Sequence, residues 1–272
     1  MSLDRTDEDL LAAVQASPRA VAAHDKTAWV ALFAEQAAVH DPYGSREHIG
    51  PDAISRFYNV FIAPNSIAFR IDRDLVAGYT VVRDLHIETT MSTGATVTVP
   101  MHLRYDLVGT DGGWRIARLA AHWELGVMIA RLLRTGPSGV LAGAKLGPQL
   151  VAELGIGGAM GMMRALRGVG GSGKRLVRRL FAAAASGDSG GVRALLDERT
   201  VIELPVGHPI SVAEFADRAR DMKWDKMIAA GRTVSVSVKV GKSRGVAFVD
   251  FAPDRPRITA VRVFLDGDPT DD

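Results

Sequence analysis

The 272-residue sequence contains no cysteine. This absence excludes disulfide bonds, thiol nucleophiles and cysteine-ligated metal sites together, and it fits a reducing compartment. No uncharged apolar run reaches the roughly 18 residues that a bilayer-spanning helix needs, and the acidic start of the chain is unlike a secretory signal peptide. The formal net charge is only +2. We therefore expect a cytoplasmic protein without membrane-spanning segments.

What the sequence does contain is enough apolar material for two ordinary domains. Hydrophobic residues make up 47% of the chain and the mean hydropathy is +0.08. A domain usually takes about 100–200 residues, so this length favours two. We place the domains at residues 1–125 and 174–272 and assign residues 126–173 to a helical connector rich in glycine and alanine.

Residues 1–125 combine helical and strand patterns. Apolar residues recur at helical spacing between Glu8 and Ala37, where Pro18 and the break near Asp25 divide them into two or three helices, and a further helix is predicted from Pro51 to Ile62. After Pro64 the period becomes two. Four strands are predicted at residues 67–73, 80–89, 95–107 and 114–119. Helices followed by a meander predict an α+β fold with helices on one face of a curved antiparallel sheet.

Residues 126–170 differ from the rest in composition. Glycine, alanine and methionine are frequent, and basic residues outnumber the single acid, Glu153. One interpretation is a connector whose apolar faces pack on both domains. The other is a cover over an apolar cavity, or a basic face that touches a membrane surface.

One stretch, Val39 to Ser45, stands out for chemistry. It places Asp41 between an apolar strand-like run and a Pro-Tyr-Gly turn, shortly before a helix with an aromatic face. Apolar surroundings disfavour the charged form of a carboxyl group and raise its pKa. A carboxylate of that kind can remove a proton from carbon near neutral pH, and Asp41 is therefore the main catalytic candidate. A structural role as a turn residue is the alternative.

The same turn occurs a second time. Residues 22–44 align without a gap on residues 185–207, so that Pro42 matches Pro205 and Asp41 matches Leu204. The second domain is thus predicted to be a copy of the first without its buried carboxylate. It is either a structural, pseudo-dimeric partner or the holder of a separate site at Glu203 or His208.

The run from Leu32 to Ser45, with Ile54 and Phe57-Tyr58, resembles the Δ5-3-ketosteroid isomerases of the nuclear-transport-factor-2-like (SnoaL-like) superfamily over about residues 8–125. The resemblance implies two cone-shaped domains, the second degenerate, and a cavity for a flat hydrophobic ligand. It also implies that Asp41 is a general base that works without a cofactor. By resemblance the cavity wall includes Tyr43, Phe57, Tyr58, Phe61, Met101 and Trp123.

The sequence departs from these isomerases at the oxyanion hole. The family's tyrosine on the first helix falls on Ser17, and its late-strand aspartic acid falls on Met101 or His102, depending on the register. Neither register supplies the acid. His102 is a candidate substitute donor, and so is Tyr58. Since each oxyanion donor contributes about two to three powers of ten in rate, altered chemistry or binding without catalysis stays open.

Other site classes have little support. His86, His122 and His208 lack metal-ligand spacing, so we expect no metal. The basic group at residues 174–179 is best explained as the solvated face of a helix, and we expect no nucleic-acid partner. The expected partners are a hydrophobic small molecule and, through residues 126–170, a membrane surface. The resemblance also allows a homodimer or a pseudo-dimer within one chain.

Overall fold

The structure, a computed structural model, describes residues 6–137, 139–141, 144, 168–254 and 257–267. Two compact units divide the chain, with the division between Leu166 and Arg167. Each unit has its own sheet and its own set of helices. The predicted α+β class is therefore confirmed.

The first two helices of the first unit begin at side-chain caps. The Thr6 hydroxyl accepts a hydrogen bond from the backbone N–H of Asp9 at 3.1 Å, and the Asp25 carboxylate accepts one from Ala28 at 2.8 Å. These bonds satisfy backbone donors that the first turn of a helix leaves unpaired. The helices are α1 (Asp7–Ala22), α2 (Lys26–Ala31), α3 (Gly50–Phe57) and α4 (Leu125–Arg134), with a π-helical turn at Tyr58–Ile62.

Six strands form the first sheet. Their order is β2-β1-β6-β5-β4-β3, and β1 is parallel to β6 whereas the other neighbours are antiparallel. The strands are β1 (Phe33–His40), β2 (His48–Ile49), β3 (Asn65–Ala77), β4 (Thr80–Met91), β5 (Thr96–Thr110) and β6 (Gly113–His122). The four predicted strands therefore exist and are each longer than expected.

Three expectations for the first unit need correction. Pro18 does not divide the first helix, which runs through it from Asp7 to Ala22. Phe33, which we placed in a helix, begins β1. The helix predicted from Pro51 to Ile62 is α-helical only to Phe57 and continues as the π-helical turn.

The second unit contains three helices and a five-stranded sheet of order β7-β11-β10-β9-β8, in which β7 is parallel to β11. The helices are α5 (Gly170–Ala185), α6 (Ser189–Leu195) and α7 (Val212–Arg218). The strands are β7 (Val201–Glu203), β8 (Lys223–Ala230), β9 (Thr233–Val240), β10 (Ser243–Phe251) and β11 (Ile258–Leu265).

Two features of the second unit go beyond the sequence analysis. Residues 170–173, which we assigned to the connector, form the first turn of α5. Strand β8 is not marked by a regular period-two pattern. Its alternation is interrupted because its pairing with β9 shifts between Trp224 and Met227, and an irregular register hides the period-two signal.

The turns that follow β1 and β7 have matching geometry. Tyr43 N–H donates to the Ala121 carbonyl at 2.7 Å, and Val206 N–H donates to the Val263 carbonyl at 2.8 Å. The glycine that follows has φ of 91° at Gly44 and 87° at Gly207. Both turns therefore need the left-handed region that glycine tolerates.

Only part of the predicted connector is described. Helix α4 begins it, and α5 begins before its predicted end. Gly155 to Ala159 and Met160, Met162 and Met163 lie outside the described residues. Among the helices that are described, none is both long and apolar enough to cross a bilayer.

Candidate functional site

Asp41 is positioned by the parallel pairing of β1 and β6. It directly follows β1, and Trp123 directly follows β6. In the ladder between these strands His40 lies opposite Ala120. Because the two strands run in the same direction, their carboxyl ends meet at one edge of the sheet, which brings the two side chains together.

The Trp123 indole is a direct partner of the candidate base. Its Nε1–H donates a hydrogen bond to Asp41 Oδ1 over 2.6 Å. Trp123 is itself only 8% exposed, so the indole is fixed by packing. This hydrogen bond involves only Oδ1 of the carboxyl group and does not involve Oδ2.

Burial raises the pKa of Asp41 to about 7, whereas the hydrogen bond from Trp123 lowers it. The raised value follows from desolvation, which penalises the charged carboxylate more than a single hydrogen bond stabilises it. A carboxyl group with a pKa near 7 exists in both protonation states at neutral pH. It can therefore accept a proton and give it back.

Asp41 faces a cavity of about 200 Å³ that lies within the first unit. Most of its wall is apolar and includes Val21, Val60, Ile67, Phe69, Ile87, Val99, Leu103 and Leu119. Among the described residues no other acidic or basic side chain lines it. In the part of the chain that the structure describes, Asp41 is thus the one carboxyl group on a mostly hydrophobic wall.

Five other predicted residues contribute to this cavity. They come from α1, from the helix before β3, from β5 and from the end of β6, and they are Ser17, Phe57, Phe61, Met101 and Trp123. Phe57 and Phe61 lie four residues apart and their ring centroids are 4.9 Å from each other. The two rings form one side of the wall.

Three predicted residues lie elsewhere. His102 is adjacent to Met101 on β5 and therefore lies on the opposite face of the sheet, where its Nε2 is 3.3 Å from Asp84 Oδ1. Tyr43 stacks on His122 with a centroid distance of 4.4 Å. Neither residue lines the cavity.

Tyr58 also lies outside the cavity wall. Its ring packs 5.6 Å from Trp29, and it is 2% exposed. Its hydroxyl has no hydrogen-bond partner among the described residues. Desolvation raises its pKa, and the Asp25 charge acts in the same direction. Tyr58 is therefore placed as a core residue and not as a donor to a ligand.

The sequence analysis missed Tyr105 and left open whether residues 126–170 cover the cavity. Tyr105 lies on the cavity wall, and period-two alternation from Met101 could have placed it there. Helix α4 contributes Leu125, Met128, Ile129 and Leu132, whose spacing is that of one helix face. Arg131 of this helix donates to the Thr98 carbonyl of β5. The start of the predicted connector thus forms part of the cavity wall.

The remaining histidines are not part of a metal-binding cluster within the described ranges. Within the described ranges no group of three or more potential ligands could hold a metal ion. Burial lowers the pKa of His122 to about 3 and of His48 to about 4, and neighbouring positive charges add to both shifts. In the second unit His208 is exposed, and Glu203 accepts a hydrogen bond from Gly207 N–H at 3.2 Å.

Comparison with known proteins finds the SnoaL-like domain family, whose model matches residues 14–119. No curated protein sequence matches the chain. Solved structures that resemble it include the Δ5-3-ketosteroid isomerase from Mycobacterium sp., which is 28% identical over 43% of this chain and 95% of its own, with a TM-score of 0.40.

Two further solved structures each resemble part of the chain. RV0760c from Mycobacterium tuberculosis, in complex with estradiol-17beta-hemisuccinate, is 24% identical over 43% of this chain and 95% of its own, with a TM-score of 0.40. A putative polyketide cyclase from Xanthomonas campestris is 23% identical over 46% of this chain and 96% of its own, also with a TM-score of 0.40. The match of the family model agrees with the sheet and helices of the first unit, and residues 14–119 are a SnoaL-like domain.

Proposed function

We propose that the first unit binds a flat hydrophobic carbonyl compound of the steroid, lipid or polyketide kind and moves a proton on it through Asp41. One observation carries the proposal. The Asp41 carboxyl group, held by Trp123 at 2.6 Å, is the lone carboxyl group that the described residues place on a mostly apolar cavity wall, and its pKa is raised to about 7.

The proposed reaction is an isomerisation. The Asp41 carboxylate removes a proton from a carbon next to the carbonyl group, and the C–H electron pair moves toward the carbonyl oxygen to form an enolate. The protonated Asp41 then returns the same proton to a carbon further along the conjugated system. Atoms and electrons balance without a cofactor or a second substrate.

The neighbouring residues assist in defined ways. Trp123 holds one oxygen of the carboxyl group and leaves the other free to take the proton. Phe57, Phe61 and Met101 exclude water and contact the flat faces of the ligand. An apolar wall of this kind contributes most of the binding free energy of a hydrophobic ligand.

Steady-state assays with a 5-ene-3-ketosteroid test the proposal. Asp41→Asn removes the base but keeps the shape of the side chain, and we expect turnover to fall at least 100-fold. The exposed Asp52 of α3 offers a matched control, since Asp52→Asn leaves the cavity unchanged. Equal turnover by Asp41→Asn and wild type, or no turnover above the solution rate, would end the isomerase proposal.

A second candidate function is hydrophobic-ligand binding without catalysis. The observation in its favour is the replacement of both oxyanion donors: Ser17 and Met101 line the cavity at the positions where the resemblance expects a tyrosine and an aspartic acid. Binding of the steroid with no turnover would support this candidate. Other proton-transfer chemistry, such as dehydration or cyclisation, would then require other substrates.

The domain organisation belongs to the same proposal. We propose a first domain at residues 1–125 and a degenerate copy at 174–272, supported by the matching turns at Asp41 and Leu204. Light scattering at several concentrations would separate a homodimer from a monomer that is a pseudo-dimer within one chain. Co-sedimentation with anionic vesicles at low salt tests membrane contact through residues 126–170.

A further inference from the structure

Two hydroxyl groups face the cavity from opposite elements of the first unit. Ser17 comes from α1 and Tyr105 from β5; both line the cavity, and their side chains hydrogen-bond with each other. Ser17 is 3% exposed and Tyr105 is 1% exposed. The pair is therefore buried within a wall that is mostly apolar.

On the side away from Tyr105, the Ser17 hydroxyl accepts a hydrogen bond from a group that can only donate. The Trp29 indole Nε1–H donates to Ser17 Oγ over 3.0 Å. An indole nitrogen has one hydrogen and no acceptor capacity. Trp29 therefore cannot accept a hydrogen bond from the Ser17 hydroxyl, and the Ser17 O–H must point to another acceptor.

Tyr105 also has a donor beside it. The Arg83 guanidinium is 3% exposed and is fixed by Asp74, with Nε to Oδ1 at 2.7 Å and Nη2 to Oδ2 at 3.2 Å. The Arg83 side chain also hydrogen-bonds to the Tyr105 hydroxyl, and its charge acts on the same group. A guanidinium has no acceptor atom, so Arg83 cannot take up the hydrogen of the Tyr105 hydroxyl.

Counting hydrogens over the described residues leaves one hydroxyl hydrogen of this group without an acceptor. Two donor-only groups, from Trp29 and Arg83, flank two hydroxyls that carry one hydrogen each. The hydrogen bond between Ser17 and Tyr105 uses one of these hydrogens, whichever way it points. The other hydrogen is left over, and the cavity that both side chains line is the open space beside them.

We propose that Ser17 and Tyr105 form a hydrogen-bond-donating site for an oxygen atom of the ligand. The ligand class is thereby narrowed to flat hydrophobic compounds that present an acceptor oxygen, such as a ketone, to this part of the wall. The inference rests on the proposed function in taking the cavity as a ligand site. It also assigns the phenol expected at Ser17 to Tyr105, on the facing strand.

Paired ligands test this site without turnover. The probes are a 4-ene-3-ketosteroid and the matched steroid without the 3-oxygen, and their binding is followed by quenching of tryptophan fluorescence. Tyr105→Phe removes only the hydroxyl, so we expect it to weaken binding of the ketosteroid about tenfold and of the deoxy steroid less than twofold. The exposed Tyr79 provides the control Tyr79→Phe, which should change neither affinity.

A spectroscopic measurement on the wild type keeps the test independent of the variant's folding. The enone absorption of the bound ketosteroid should move to longer wavelength than in an apolar solvent, and Tyr105→Phe should abolish most of that shift. Equal weakening of both ligands, absence of the shift, or failure of both steroids to bind would overturn the inference. Failure of the isomerase proposal would look different. Asp41→Asn would then leave turnover unchanged, while these binding results would still hold.

Discussion

The indole of Trp123 donates its one hydrogen to Asp41 Oδ1 over 2.6 Å, and both residues directly follow neighbouring parallel strands. The contact combines two opposing effects on one carboxyl group. Burial raises its pKa, and the hydrogen bond lowers it. The balance leaves the pKa at about 7, and removing either effect should move the pKa in a known direction.

The first prediction concerns the pH profile of activity. Because the base must be ionised, kcat/KM should rise with pH and level off above about 7. In Trp123→Phe the hydrogen bond that favours the carboxylate is lost, so the midpoint should move to higher pH. A profile measured on both proteins checks this, and a midpoint near 4 in the wild type would contradict it.

The second prediction concerns stability. The pKa of Asp41 is raised from 3.8 to about 7 on folding, so its contribution to stability is fully present below pH 3.8 and is lost as pH rises through 7. Between these values wild type should lose up to about 4 kcal/mol relative to Asp41→Asn. Urea unfolding of both proteins at pH 4 and pH 8 measures the difference. The same difference at both pH values would show that Asp41 is not desolvated.

The third prediction concerns Ser17. Ser17→Ala leaves the buried Nε1–H of Trp29 without its acceptor, and an unpaired buried donor costs about 1–3 kcal/mol. We expect a loss of that size in the free energy of unfolding. Ser66 is exposed on β3, and Ser66→Ala serves as the matched control with a change near zero. Equal effects of the two variants would contradict the contact.

The fourth prediction has the opposite sign. The Tyr58 hydroxyl is buried and has no partner among the described residues, so the hydroxyl pays a desolvation cost without a compensating bond. Tyr58→Phe should leave stability unchanged or raise it by up to about 1 kcal/mol. It should also leave steroid affinity unchanged, since Tyr58 is not on the cavity wall. A loss above 1 kcal/mol would show a hidden partner.

The fifth prediction tests α4 as a wall of the cavity. Met128 lines the cavity, and shortening it to alanine removes apolar contact worth about 1 kcal/mol or more with a bound ligand. We expect Met128→Ala to weaken steroid binding several-fold in a fluorescence titration. On the same helix Leu133 is 55% exposed, and Leu133→Ala should have no effect. If α4 does not contact the ligand, Met128→Ala and Leu133→Ala should both bind the steroid with unchanged affinity.

Much of the first unit could be predicted because its local patterns are regular. The period-two runs after Pro64 indicated the strands β3 to β6, and the turn after Val39 indicated where Asp41 lies. The failures have identifiable causes. Strand β8 has a register shift between Trp224 and Met227, and Phe33 begins a strand whose pairing with β6 is also irregular.

The candidate site was predictable only as far as side-chain direction was. Met101 and His102 were both candidates, and a step of one residue along a strand moves a side chain to the other face of the sheet. Tyr58 lies away from the cavity for a related reason. It directly follows Phe57, and successive residues of a helix point about 100° apart. The Ser17–Tyr105 contact joins residues far apart in sequence, and no local pattern reports it.

The buried Leu204 has a consequence for how Asp41 should be understood. The same backbone turn closes around leucine in the second unit, where that side chain is fully enclosed in the core. Folding of the turn therefore does not need an acid, and an aliphatic residue satisfies it. Asp41 occupies a position that packing alone would give to an aliphatic side chain. The two turns of this protein can therefore be compared directly, since Leu204 stabilises the fold where Asp41 lowers its stability.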